Sequence, residues 1–335
     1  MKAFYSCFKI LMKLALRSYF HKIKIEGDEN VPKNTPLIVT PNHQNAFLDA
    51  LLVGAFIPIH LHYLTRQDVF TSWSRPLLRL MNMIPIYRIR DGYSKLSLNE
   101  SIFESCRDLF HKNGSVLIFA EGNHGPHHYL RPLTKGAARL ALQSQKELDK
   151  GLMVLPVGLN YFDHQASKST VLINFGQPIA VSDYLQRYED NQAKGLITMR
   201  DAISEGMKST LVIPEETIDH ETRAKVIFQQ KHENFTFQEL KRIDPASVSH
   251  EKPVNERKHL LAWILNPVPL LLIRYVLRGI ADGVFHSSLK FGIGLFAFPI
   301  WWLLVFFVFF FTVGIKIAIL AVIVMVFGLY YSYQR

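Results

Sequence analysis

Cysteine is scarce in this chain, with Cys7 and Cys106 the only two among 335 residues and neither in a C-x-x-C context. That scarcity argues against a disulfide framework, and neither thiol has neighbours that would activate it as a nucleophile. Acidic residues are also in deficit, 28 Asp and Glu against 38 Lys and Arg, for a formal net charge of +10. Such a balance suits anionic membranes, phosphorylated substrates or nucleic acid. No modular basic-aromatic pattern supports the last of these. A secretion signal is missing too, because residues 1–20, MKAFYSCFKILMKLALRSYF, have no clean apolar centre and no small-residue cleavage site. The NES at 99–101 and NFT at 234–236 therefore lack the secretory context that would make them glycosylation acceptors. There is no internal repeat.

What the chain does have is a long apolar run. From Phe291 to Tyr331 only Lys316 carries a formal charge. Residues 291–312, FGIGLFAFPIWWLLVFFVFFFT, exceed the ~20 residues needed to cross a bilayer core. A second span is expected over 315–333, completed by snorkelling of Lys316 and by Tyr330, Tyr331 and Tyr333 at the interface. The alternative is a buried helical hairpin, which rarely needs aromatic residues on every face. Trp73, Trp301 and Trp302 read as packing or interface residues. Lys290 and Arg335 bracket the hairpin on one side and only Lys316 marks the opposite turn, a positive-inside bias that favours a domain on the cytoplasmic face of a bacterial inner membrane.

At the other end, Lys2, Lys9, Lys13 and Arg17 line one face of a helix, with Phe4, Phe8, Leu11 and Leu14 covering much of the rest. Residues 1–24 read as an amphipathic membrane-interface helix, or else as a helix packed on the domain. Between the ends, strand-like runs (PLIVT at 36–40, residues 60–65, SVLIF, GLMVLPVGLNY, STVLINF) alternate with helical stretches. Gly114 is a plausible stop for a helix within 94–112. This alternation predicts an α/β domain over about 25–215. Residues 216–257 read as a charged helical connector. In 258–280, Pro267, Pro269 and Arg274 interrupt an apolar stretch, which favours an interfacial or re-entrant segment.

The chemistry-bearing residues gather at strand ends. In PNHQNAFLDALL, residues 41–52, His43 and Asp49 lie among asparagines after an apolar run. Histidine is the natural general base near neutral pH, and a carboxylate fixes its tautomer. A six-residue offset on one continuous helix is about 240° of rotation, so the pair meets only if the helix begins after His43. The bland reading is a capping residue plus a solvated acid. FAEGNHG at 119–125 is a second strand end with Glu121 and Gly122 at a turn suited to presenting backbone donors to an anion. Arg88, in IPIYRIR, is suited to gripping a phosphate, with Arg66, Arg90, Arg131 and Lys135 adding positive potential. GNHGPHH brings His124, His127 and His128 together, but no regular ligand set completes a metal site, and none is expected.

Together these blocks resemble the glycerolipid acyltransferases related to bacterial 1-acylglycerol-3-phosphate acyltransferase. The resemblance covers about residues 35–180. It puts His43 and Asp49 in the catalytic positions of the first block, NHQNAFLD. It implies Arg88 in acceptor-phosphate binding, Glu121, Gly122 and Asn123 in substrate binding from FAEGNH, and Pro156 of VLPVGL shaping the acyl or acceptor site. Lys135 is assigned to substrate binding with them. Two departures stand out. Five residues separate His43 from Asp49, where most relatives have four, a spacing of a minority branch. His124 and Gly125 also replace the usual Ser-rich context after EG.

The resemblance implies an α/β acyltransferase-type domain, a mixed sheet flanked by helices, carrying the N-terminal helix and C-terminal hairpin. It implies direct transfer from acyl-CoA or acyl carrier protein, with no bound cofactor, to a glycerolipid precursor in phospholipid biosynthesis. The acceptor expected first is the lysophospholipid 1-acylglycerol 3-phosphate. Glycerol 3-phosphate or a lyso-aminolipid are alternatives, as is a non-catalytic membrane lipid-binding or scaffold protein.

Overall fold

A computed structural model describes residues 2–87, 98–229, 235–243 and 259–332. The strands are β1 (Lys22–Glu26), β2 (Leu37–Pro41), β3 (His62–Arg66), β4 (Met83–Ile86), β5 (Ser115–Leu117), β6 (Met153–Tyr161), β7 (Thr170–Phe175) and β8 (Ile179–Ala180). They form one sheet in the order β1-β7-β6-β2-β5-β3-β4, with β8 also on β6. β6, β2, β5, β3 and β4 run parallel, while β7 and β8 pair antiparallel to β6 and β1 runs parallel to β7. The sheet is therefore mixed.

Helices α1 (Lys2–Tyr19), α2 (Phe47–Phe56), α3 (Arg75–Leu80), α4 (Asn99–His111), α5 (Gly136–Glu147), α6 (Leu185–Asp190) and α7 (Gln192–Ser209) belong to this layer system. After them come α8 (His220–Gln229), α9 (Phe237–Arg242), α10 (His259–Leu265), α11 (Pro267–Arg278), α12 (Val284–Thr312) and α13 (Ile315–Ser332).

β6 shows how a period of two builds two cores. Its Leu155, Val157, Leu159 and Tyr161 join α1, α2 and Phe291 in one cluster. Val154 joins α4, α5 and α7 in the other. A strand buried on both faces reads as one apolar run, as this one does. Each fully buried Leu or Val contributes about 1.5–3 kcal/mol relative to exposure.

Some boundaries differ from the sequence expectation. The sheet begins at Lys22, before residue 25, because KIKIE alternates charge with isoleucine and pairs at an edge. α8 and α9 pack on Leu172 of β7 through Ala224, Ile227, Phe237 and Leu240, so this part of the expected connector is docked on the sheet. α1 buries Tyr5, Met12 and Leu16 but leaves Phe4, Ile10, Leu11 and Leu14 exposed. Three basic residues of α1 turn toward the domain: Lys9 donates to the carbonyls of Ile57 and Ile59, and Lys13 and Arg17 lie over Phe56.

In the 258–280 stretch, α10 and α11 are separate helices broken at Asn266. Pro267 and Pro269 open α11, where missing N–H groups cost nothing. Asn266 is fully buried; its amide donates to Met325 O and accepts from Trp302 Nε1. α12 and α13 are long and apolar enough to cross a membrane. α12 starts at Val284, seven residues before the predicted span, and the extra turns bond to the α/β domain through Ser287 on Tyr19 and Ser288 on Asn45 and Leu48, with Phe291 packed in its core just after.

Candidate active site

Two strand ends and one helix start build the site. β2 ends at Pro41, and α2 begins at Phe47, so His43 lies in the turn before the helix and Asp49 in its first turn. The chain reverses through Ala46, which adopts φ 46° and ψ −131°, a conformation that disfavours a side chain. Such a residue costs on the order of 1–3 kcal/mol unless its surroundings hold it. Here they do. Ser288 Oγ of α12 donates to Asn45 O and accepts from Leu48 N, at 2.7 and 3.1 Å. The Asn45 amide donates to His164 O at 2.9 Å.

The reversal brings Asp49 back to the imidazole. His43 Nδ1 lies 2.8 Å from Asp49 Oδ2, which also accepts the N–H groups of Gln44 and Asn45 at 2.8 and 2.7 Å. Tyr161 OH donates to Asp49 Oδ1 at 2.6 Å. Asp49 is 0% exposed, and a buried carboxylate is tolerable only with such a set of donors. Burial, then the charge of Asp49, pushes the Tyr161 phenol well above its usual range, so it stays a donor. An ionised carboxylate only accepts, so Nδ1 carries the proton and Nε2 of the neutral ring has the free lone pair.

The ring is held from its sides as well. Phe119 stacks on His43 with centroids 3.7 Å apart and planes 12° from parallel. His124 meets His43 edge-on at 5.4 Å, with Phe285 of α12 edge-on to His124 in turn. Burial and then the neighbouring His43 lower the His124 pKa.

Glu121 lies behind the histidine and not in the open. Its Oε1 accepts His43 N at 2.7 Å, and its Oε2 pairs with Arg131 Nε at 2.7 Å. Burial pushes its carboxyl up to about 7, against the pull of Arg131 and the His43 amide. Arg131 also donates to Asn123 Oδ1 at 2.6 Å and to Asn123 O. The brace ties FAEGNHG to NHQNAFLD through an arginine that the sequence offered only as positive potential. Gly122, at φ 78°, makes the turn that this brace requires, and a Cβ there would sit 3.0 Å from Thr134.

The remaining residues expected at the site fall in different places. Lys135 is exposed at the start of α5, after Thr134, which donates to Ala120 O from both its amide and hydroxyl. Pro156 lies on the other face of β6, its ring against the Gly206 position of α7. The strand period of two puts it across the sheet from Tyr161 and Asp49, so it does not line the same cleft. Arg88 and Arg90 lie outside the described residues. The clustered histidines separate, His127 beside Tyr129, and His128 against His164 and Phe228.

Sequence reasoning missed Tyr161 and Phe119, which sit in ordinary apolar strand runs, and Ser288, hidden in a membrane-like helix. The one available signal was spacing: Phe119 directly precedes the AEG motif. Gln44 Nε2 and Asn45 Oδ1 are buried with no partner among the described residues, leaving a spare donor and a spare acceptor beside the pair.

A mixed sheet thus presents a His–Asp pair, its aspartate fully buried, at a strand end beside a helical hairpin long and apolar enough to cross a membrane. Residues 22–160 match the Acyltransferase family model. A chloroplastic 1-acyl-sn-glycerol-3-phosphate acyltransferase of Arabidopsis thaliana is 28% identical over 145 residues, 42% of this chain and 36% of its own length. Glycerol-3-phosphate O-acyltransferase 2 of Saccharomyces cerevisiae is 28% identical over 132 residues, 39% of this chain and 17% of its own length. The chain thus spans well under two thirds of the curated relatives it matches. Among solved structures, the 1-acyl-sn-glycerophosphate acyltransferase PlsC of Thermotoga maritima aligns over 62% of this chain and 81% of its own, at 20% identity and a TM-score of 0.44.

Proposed function

We propose that this protein transfers a fatty acyl group from acyl-CoA or acyl carrier protein to a hydroxyl of a glycerolipid precursor, with 1-acylglycerol 3-phosphate the first acceptor. The observation that carries this reading is the contact of His43 Nδ1 with the buried Asp49, which leaves Nε2 as the free base. The family match to residues 22–160 supports the reaction class. The acceptor choice rests on the names of relatives, which act on that lipid or on glycerol 3-phosphate.

In this reading Nε2 of His43 takes the proton of the acceptor hydroxyl as its oxygen attacks the thioester carbon. Asp49 stabilises the imidazolium that results. The tetrahedral intermediate collapses with loss of the thiolate, which recovers the proton from His43, giving an ester and a free thiol. The acceptor oxygen attacks the thioester directly, so no acyl-enzyme is required, and Ser288, the serine at this turn, spends its hydroxyl on Asn45 O and Leu48 N. Arg88, Gly122, Asn123 and Lys135 hold the acceptor's polar end. Glu121 contributes by fixing the His43 backbone, and Pro156 by packing beneath β6. α12 and α13 keep the site at the membrane, with the domain on the cytoplasmic face.

The test is a transfer assay on the purified full chain with labelled acyl-CoA or acyl carrier protein and a panel of acceptors. Wild type should acylate 1-acylglycerol 3-phosphate, and His43→Ala should lose at least about 10³-fold of that rate. Full activity in His43→Ala would overturn the assignment, and another preferred acceptor would replace the substrate.

A further inference from the structure

A cavity of about 820 Å³ lies between α1, α11, α12 and α13, and none of His43, Asp49, Phe119 or Glu121 lines it. That volume is within the range of small-molecule sites. Its lining includes Lys168, Arg274, Arg278 and Lys290 but no aspartate or glutamate. Arg274 and Arg278 are one turn apart on α11 and exposed. Among the described residues, none of these four cations forms a salt bridge with a carboxylate.

The two lysines are placed by their surroundings. Lys168 takes a left-handed backbone at φ 61°, held by its N–H on Tyr19 O at 2.8 Å, and its ammonium lies 5.5 Å over the Tyr330 ring. Half-burial lowers its pKa, a cost that a bound anion would relieve. Lys290 Nζ donates to Gln165 O at 2.9 Å and keeps further donors free. Elsewhere the wall is apolar, with Leu270, Phe298 and Trp302 in it, and the α12 part belongs to the stretch suited to span a membrane. The cavity therefore offers cations and an apolar wall to a single ligand.

We infer that this cavity holds one anionic glycerophospholipid of the bilayer, its phosphodiester among Arg274, Arg278, Lys168 and Lys290 and an acyl chain along Leu270 and Phe298. A soluble phosphate would leave the apolar wall uncovered, and a zwitterionic lipid would bring its own cation to four cations whose lining holds no carboxylate, Asp163 near Lys290 lying outside it. Basic pockets between membrane helices select anionic headgroups by this charge imbalance. The site is separate from the chemistry proposed at His43.

The full chain, purified and delipidated in detergent, is titrated with phosphatidylglycerol or phosphatidylcholine, and retained lipid is read by native mass spectrometry. Phosphatidylglycerol should bind at least tenfold more tightly, and Arg274→Ala with Arg278→Ala should erase that preference. Gly294→Phe gives a second variant, because a Cβ there meets nothing closer than Phe298 at 3.5 Å and the ring would fill the tail slot. It should weaken both lipids with every cation intact. Equal binding of the two lipids, a preference that survives the double substitution, or Gly294→Phe binding like wild type would overturn the inference. So would displacement by glycerol 3-phosphate at equal concentration, which marks a soluble-phosphate site. His43→Ala should retain phosphatidylglycerol as wild type does; loss there would move the lipid to the active site.

Discussion

Asp49 has no access to solvent and accepts from a ring nitrogen, two backbone amides and a phenol. Replacing it by asparagine puts an amide N–H against donors and favours the wrong imidazole tautomer. Asp49→Asn should lower acyl transfer on the order of 10³-fold with substrate affinity little changed. Tyr161→Phe removes one donor only, so a transfer rate reduced about 3–10-fold is expected, with roughly 1 kcal/mol of lost stability in a denaturant melt. Glu121 gives a pH test. Its folded pKa of about 7 lies above the reference 4.5, so its stability contribution is full below about 4.5 and is lost as pH rises to 7. Between pH 5 and 8 the stability of wild type relative to Glu121→Gln should fall by on the order of 3 kcal/mol. A difference that stays flat with pH would refute this.

At the scale of elements, the important contact is between α12 and the start of α2. Ser288 satisfies a carbonyl and an amide on either side of the strained Ala46, so a helix suited to the membrane clamps the loop that carries His43. Ser288→Ala removes both hydroxyl bonds and leaves Asn45 O and Leu48 N with only their mutual 3.1 Å contact, at a cost of about 0.5–1.5 kcal/mol. Its expected signature is a fall of about tenfold in kcat with KM for the donor little changed, because the loop that aims Nε2 loosens while distant binding surfaces do not. Ser288→Thr, which keeps the hydroxyl, should restore most of that loss. A change in KM alone would argue for a binding role.

For the whole molecule, the hairpin sets how much apolar surface is left for lipid to cover. α12 is not covered by protein over its most apolar window, and the exposed faces of α11 and α1 add Val268, Leu271, Leu272, Phe4, Leu11 and Leu14. Exposed apolar surface on this scale is stable only against lipid or another protein. The protein should stay in the membrane pellet through high salt and alkaline carbonate and be released by detergent. Release by carbonate alone would identify a peripheral attachment.

Much of this was legible in the chain itself. The apolar run after Phe291, strand–helix alternation, the His43–Asp49 spacing and the Glu121–Gly122 turn are local patterns, and local patterns survive in one dimension. The KIKIE strand was not legible, because an edge strand that alternates lysine with isoleucine resembles a charged linker until β7 lies beside it. Nor was the role of Tyr161, since in an apolar strand only the partner across the space shows whether a phenol is packing or donating. Pro156 was placed by its motif, yet the strand period sends it to the opposite face from Asp49. Sequence alone determined which residues carry charge, apolarity and turn potential, since those are properties of side chains and their neighbours. Only the tertiary structure decided that Asp49 folds back onto His43, that Glu121 braces it from behind through Arg131, and that Ser288, hundreds of residues away, locks the turn. Those contacts depend on which distant groups share a buried space, where an unpaired donor or charge has no water to turn to.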